Sequence, residues 1–223
     1  MKRLIALGDN HGDERDTAAC RRALEFTKSF KPDLRIHLGD CWDFRWLRKS
    51  ASKDEQEGRI TDDLNAGIEF ISAYKPQVFC VGNHDQRVYD RAETAVGFMS
   101  TLCLHVIEKM EAALQGAKII KPYNKRNLFS LDDWLFGHGW GAGINAVRDH
   151  AQRFGNVAIG HLHRVERLQA ARYQPAIGMC SGALCKLNMD YNRSQLNTLA
   201  QSQGIIYGEK RGGRWVMNHE VIA

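Results

Sequence analysis

No run in the sequence approaches the ~20 apolar residues that cross a bilayer as a helix, so no membrane partner is expected. The opening, Met1-Lys2-Arg3-Leu4-Ile5-Ala6-Leu7-Gly8-Asp9, turns polar too soon for the apolar region of a signal peptide, and a cytoplasmic location is expected. The six cysteines (20, 41, 80, 103, 180 and 185) lack the paired spacing of a thiolate metal site. A disulfide framework is not expected in a chain this long and this hydrophobic, and Cys80 and Cys103, set in apolar runs, read as small core residues. No sign of charge dominates: 31 Lys plus Arg against 26 Asp plus Glu leave +5. That balance admits a polyanionic substrate but lacks the dense basic face of a dedicated nucleic-acid binder. There is no internal repeat, low-complexity tract or interdomain linker. With 223 residues, 43% hydrophobic and 26% charged, a single globular domain over 1–223 is expected.

The apolar pattern then sets out elements. Leu4–Leu7 reads as a strand, 13–30 as a helix with Ala18, Ala19, Ala23, Leu24 and Phe26 inward, and 34–38 as a second strand. This βαβ order calls for a right-handed crossover and a parallel sheet. A loop with a short helix follows over 41–57, rich in Trp42, Arg45, Trp46, Arg48, Lys49 and Lys53. Thr61 is placed to cap a helix reaching Tyr74, and 76–81 is a third strand. Residues 84–115 are helical, the second helix buried through Phe98, Met99, Leu102, Val106 and Met110. Short strands are expected at 117–121, 127–131, 134–136, 157–159, 166–173, 175–181, 204–210 and 213–222, with a helix over 144–154.

Five hydrophobic strands end in glycine followed by metal-competent side chains: Gly8-Asp9-Asn10-His11, Gly39-Asp40, Gly82-Asn83-His84-Asp85, Gly137-His138 and Gly160-His161-Leu162-His163. Singly, Asp40 is as well read as a helix cap and His138 as a satisfied core imidazole. Repeated at successive strand ends, the pieces converge on the carboxyl edge of a sheet, where α/β proteins bind ligands. Carboxylate, amide and imidazole donors without thiolate suit Mn, Fe, Ni or Zn, with Mg less suited to so many imidazoles. The set is too large for one ion, and a shared carboxylate would hold two ions ~3.5–4 Å apart.

The order Asp-x-His, Gly-Asp, Gly-Asn-His-Asp, Gly-His, Gly-His-x-His, spanning residues 8–163, resembles the calcineurin-like metallophosphoesterases. The resemblance implies an α/β fold, a four-layer α/β/β/α sandwich with a two-metal site on one edge. By position, Asp9, His11, Asp40 and His163 would hold one metal, Asp40 would bridge, and Asn83, His138 and His161 would complete the second. His84 would contact the substrate phosphate or protonate the leaving oxygen, with Asp85 orienting it. The chain, including 187–192, also looks similar to phage-encoded phosphoesterases of this size. No covalent nucleophile is needed, and Cys41 and Ser181 read as structural.

Within that family the protein Ser/Thr phosphatases carry Gly-Asp-x-x-Asp-Arg-Gly and Gly-Asn-His-Glu, whereas this chain has Gly39-Asp40-Cys41-Trp42-Asp43-Phe44-Arg45 and Asp85. Its Gly-His-x-His looks more like the phosphodiesterase and nuclease branches. Arg87, Arg91, Arg164 and Arg167 follow metal-bearing loops and are candidates to clamp phosphate, Arg87 and Arg164 above the others. Trp42, Trp46 and Trp140 are placed to stack on bases, although core packing is the better reading for each. The expected activity is a two-metal phosphodiesterase on nucleotides or nucleic acid, Mn the leading metal. The alternatives are a phosphomonoesterase acting on a small nucleotide or metabolite, and a metal-stabilised binder without turnover. The binder predicts a missing ligand, and none is missing.

Overall fold

The computed structural model describes residues 2–48, 59–187 and 200–222. A six-stranded sheet contains β1 (Arg3–Leu7), β2 (Leu34–His37), β3 (Val78–Cys80), β4 (Lys118–Ile120), β10 (Gly204–Arg211) and β11 (Arg214–Val221) in the order β11-β10-β1-β2-β3-β4. β1 to β4 are mutually parallel, while β10 and β11 add antiparallel strands on one side. A five-stranded sheet has the order β5-β6-β7-β9-β8, from β5 (Phe129–Leu131), β6 (Trp134–Gly137), β7 (Asn156–Ile159), β8 (Val165–Ala170) and β9 (Ala176–Ser181). Here β6, β7 and β9 run parallel, flanked by antiparallel β5 and β8.

The period-2 alternation of side chains stacks the layers. Leu4, Ala6, Ile36, Leu38, Val78 and Cys80 point from the first sheet onto Trp134, Phe136, Ala158 and Met179 of the second. The intervening Ile5, Leu7 and Phe79 point the other way, onto α1 (Thr17–Phe30), α2 (Ile60–Tyr74) and α4 (Phe98–Ala113). α3 (Asn83–Thr94) joins that layer through Val88. On the far side Val157, Ile159 and Cys180 pack against α5 (Ala146–Phe154) through Val147 and Ala151. The result is four layers, α/β/β/α. Tyr74 locks helix to sheet by donating its hydroxyl toward the Ile5 and Ile36 carbonyls, at 3.2 and 3.1 Å.

Several boundaries differ from the sequence expectations, each for a local reason. α1 begins at Thr17 because the Asp16 carboxylate accepts the Ala18 and Ala19 amides, both at 2.9 Å; residues 12–14 form only a 3-10 turn. Its inward face is Ala19, Cys20, Ala23 and Thr27, with the expected Leu24 and Phe26 partly buried beside them, and Ala18 is exposed. Arg59, not Thr61, occupies the N-cap of α2. In α4 the buried stripe is Cys103, Val106 and Met110, while Phe98 at the first turn is 81% exposed. Of the expected short helix in 41–57, residues 45–47 form a 3-10 turn; Lys49, Lys53 and 188–192 lie outside the described residues. Among the described residues no helix is long and apolar enough to cross a membrane.

Candidate metal centre

Because β1, β2 and β3 are adjacent and parallel, as are β6 and β7, the residues following them emerge at one edge of the stacked sheets. The chain turns sharply there: Asp9, His11, Asp40, His161 and His163 all have left-handed backbone, with φ of 56°, 49°, 50°, 70° and 53°. Such residues cost on the order of 1 kcal/mol each, a strain that accumulates where side chains must converge. The glycines before them permit close approach of neighbouring loops. A Cβ on Gly160 would lie 2.4 Å from Asp9 Oδ2, and one on Gly82 2.1 Å from Asp40 Oδ1.

Two groups of donors result. In one, His11 Nε2 and His163 Nε2 face each other at 3.1 Å, with Asp9 Oδ1 3.4 Å from His163 Nε2 and Asp40 Oδ2 3.9 Å from His11 Nε2. In the other, His138 Nε2 lies 3.0 Å from Asp40 Oδ2, 3.0 Å from Asn83 Oδ1 and 3.2 Å from His161 Nδ1. Asp40 Oδ2 is common to both. Ligands bound to an ion at ~2.0–2.2 Å stand roughly 3.0–3.5 Å from one another, and all of these separations except the 3.9 Å one match the edges of a coordination polyhedron. Two imidazole nitrogens pointed at each other in a buried site are likewise satisfied by a shared cation. The donor set therefore fits divalent metal, with N and O ligands of intermediate softness.

The electrostatics point the same way. Burial opposes charge on Asp9 and Asp40, yet His163 beside the first and His138 and His84 beside the second hold both carboxyls below the usual range. Burial also disfavours the His138 cation, but the Asp40 carboxylate outweighs it and raises that group to about 9. His161 is pushed down to about 4, by burial and by the charge on His138. The carboxylates thus draw positive charge to this edge.

Supporting contacts orient these rings. His138 Nδ1 lies 3.1 Å from the Leu38 carbonyl, which leaves Nε2 for the site. His163 Nδ1 is backed by Cys185 Sγ at 3.7 Å. His37 Nε2 meets Asn10 Oδ1 at 2.9 Å, and Asn10 in turn donates to the Cys41 carbonyl at 2.9 Å.

His84, on the first turn of α3, presents Nδ1 to Asp43 Oδ1 at 2.9 Å and lies with Nε2 3.9 Å from Asp40 Oδ2. The expected orienting contact from Asp85 is not made. Asp85 is fully buried and accepts three backbone amides, Asp40 at 2.8 Å, Gly82 at 2.9 Å and Trp42 at 3.0 Å. As the third residue of its helix it points back over the helix start, away from the neighbouring His84 ring. Burial, with the charge of Asp40, pushes it up to about 7. Asp43 fills the orienting place. Burial works to raise its pKa, but His11 and His84 hold it far below the usual carboxylate range. The Gly-Asp-x-x-Asp spacing was the only sequence signal for Asp43.

Arg87 lies at the site: it donates through one amino group to the Asp43 carbonyl at 3.0 Å and approaches His84 Nε2 with the other at 3.2 Å. Arg164 does not. Its guanidinium is nearly buried, pairs with Glu166 at 2.6 Å and donates to the Gly143 and Ile144 carbonyls. Arg91 and Arg167 are exposed on α3 and β8. Trp42 is core, donating to the Leu64 carbonyl, and Trp46 packs edge-on against Phe44. Trp140 rests on His150 with ring centroids 3.8 Å apart. Cys41 and Ser181 are fully buried.

The model of the calcineurin-like phosphoesterase family matches residues 2–168. The Gene 54 protein of Mycobacterium phage D29 is 25% identical over 185 residues, covering 73% of this chain and 69% of the phage protein. Similar solved structures include Vps29 of Chaetomium thermophilum, at 9% identity and TM-score 0.49 over 99% of this chain and 95% of that one. Yfce, a phosphoesterase from E. coli, is 13% identical with TM-score 0.48 over 99% and 100% of the two chains. The chain belongs to the calcineurin-like phosphoesterases, metal-dependent hydrolases of phosphoric esters.

Proposed function

We propose that the protein is a two-metal phosphodiesterase acting on nucleotides or nucleic acid, with manganese the leading metal and Fe, Ni or Zn as alternatives. The observation that carries the reading is Asp40 Oδ2, shared between the His11/His163 donors and the His138/Asn83/His161 donors. Asp9, His11, Asp40 and His163 would hold one ion, and Asp40, Asn83, His138 and His161 the other. Bound there, the ions supply Lewis acidity toward phosphoryl oxygens and acidify water. His84 then serves the leaving oxygen from Nε2 as proton donor, its ring fixed by Asp43 at Nδ1. Arg87 is within reach of a phosphate oxygen on the same side, beside His84 Nε2.

Among the described residues one cation is seen at the site: Arg87 touches both His84 and Asp43. Arg45, which follows the second motif, is turned onto Asp13 with both contacts at 2.6 Å. Arg164 is taken by Glu166.

The purified protein, loaded with Mn²⁺, should hydrolyse a bis-aryl phosphodiester faster than the matching monoester. Monoester turnover alone would overturn the diesterase reading. Metal binding without turnover of any ester, cyclic nucleotide or oligonucleotide would overturn the two-metal phosphodiesterase assignment as a whole.

A further inference from the structure

We infer that the turn over residues 121–127 is a contact surface for the phosphate backbone of a nucleic-acid strand, with Lys125 and Arg126 as its cations. The inference rests on the phosphodiesterase reading and extends it from the phosphate that is cut to the neighbouring ones along a polymer.

Topology places the turn beside the metal edge. β4 runs parallel to β3, so the chain leaving Ile120 emerges at the edge where Asn83 and His84 lie. The turn is then pinned to both sides of the site. The Tyr123 amide donates to Gln86 Oε1 on α3 at 2.8 Å, next in sequence to Arg87. The Tyr123 hydroxyl donates to the Gly139 carbonyl at 2.9 Å, next to His138, and its ring stands edge-on to the His138 ring at 5.7 Å. Asn124 closes the turn by accepting the Arg126 and Asn127 amides at 2.7 and 2.9 Å.

Lys125 and Arg126 are both exposed, and among the described residues neither has an acidic partner. Several other cations are neutralised: Arg45 by Asp13, Arg15 by Glu69, Lys121 by Glu111, Arg164 by Glu166 and Lys186 by Glu14. A mildly basic chain that pairs those groups leaves two adjacent cations unpaired on an anchored turn beside its catalytic edge. A phosphate held at the metal site would meet Arg87, beside His84 Nε2. Charge two and three residues beyond Tyr123 suits additional phosphates of the same molecule. The bases would go unread: Trp42 is in the core, and Trp140 is covered by His150 on one side, with Lys125 Nζ 5.7 Å from the ring centroid. Contact through backbone charge alone is sequence-independent and strongly salt-dependent.

The test is fluorescence anisotropy with a labelled oligothymidylate of about 12 nucleotides, a length within the range of single-strand binding sites. Wild type is compared with K125E/R126E across a salt series, with melting curves to confirm that both proteins fold. The double variant should raise Kd at least tenfold at low salt. It should also flatten the slope of log K against log salt by about 1.4, two phosphate contacts at ~0.7 each. In Mn²⁺-dependent hydrolysis the advantage in KM of the oligonucleotide over a dinucleotide should collapse toward one. Unchanged Kd and salt slope would overturn this surface while leaving the phosphodiesterase reading intact, provided a small diester is still cleaved. Charge-dependent binding with no diester cleaved would do the reverse, sinking the phosphodiesterase reading and keeping the surface.

Discussion

Asp43 Oδ1 lies 2.9 Å from His84 Nδ1, and Asp43 Oδ2 lies 3.6 Å from His11 Nδ1. One buried carboxylate therefore sits behind a ring of the metal edge and behind the ring assigned to proton transfer. The first separation is a hydrogen bond and the second only an ion-pair distance, so the hold on His84 is the tighter.

Replacing Asp43 should accordingly reduce turnover more than metal affinity. Partners behind functional histidines are worth about 10–100-fold. Asp43→Asn, which keeps an oxygen for Nδ1, should lose roughly tenfold in kcat, and Asp43→Ala about 100-fold. Titration calorimetry with Mn²⁺ beside kcat measurements checks this; equal losses in affinity and kcat would contradict the assignment.

Asp85 should behave oppositely, as an anchor of the fold. Asp85→Asn replaces one acceptor oxygen by a donor and strands buried amides of Gly82, Asp40 or Trp42. Urea unfolding of the metal-free protein should show a loss of about 2–4 kcal/mol. A kcat collapse with stability intact would return Asp85 to a role on His84.

Gly160→Ala should weaken metal binding, because its Cβ would meet Asp9 Oδ2 at 2.4 Å. We expect at least about a tenfold fall in Mn²⁺ affinity, in the range for disturbed ligand positioning. Gly143→Ala, with open space around it, serves as the comparison and should bind as wild type does.

The stability of the protein should carry an acid-side signature from His37. Burial pushes this imidazole down to about 3, against an ordinary value of 6.5 in the unfolded chain. A depressed folded value means the unfolded state binds the proton first as pH falls. The contribution is whole above pH 6.5 and is lost progressively toward pH 3. At pH 4 the loss is about 3 kcal/mol relative to pH 8. The unfolding free-energy gap between wild type and His37→Gln should narrow by about that amount over the same range. A constant gap would show that His37 takes up a proton as readily folded as unfolded.

The sequence by itself determined the strand-end motifs, and the four-layer order followed only from the family those motifs resemble. A continuous apolar run such as Leu4-Ile5-Ala6-Leu7 marks a strand buried on both faces, and a glycine–polar break after each strand has its place at the sheet edge. Strand existence was therefore legible, whereas helix starts were not: Asp16, whose carboxylate caps α1, stands among other acidic residues, and Arg59 occupies the N-cap of α2 without a side-chain bond. What tertiary structure alone decided was which carboxylate serves which ring. Asp85 is next to His84 in sequence, but consecutive residues on a helix point about 100° apart. Asp43, 41 positions earlier, reaches His84 because the loop after β2 folds across the start of α3. The same spatial logic removed Arg164 from the site through Glu166 and left Arg87 in it. Residue types fix the available chemistry, but only packing fixes the directions in which those side chains point.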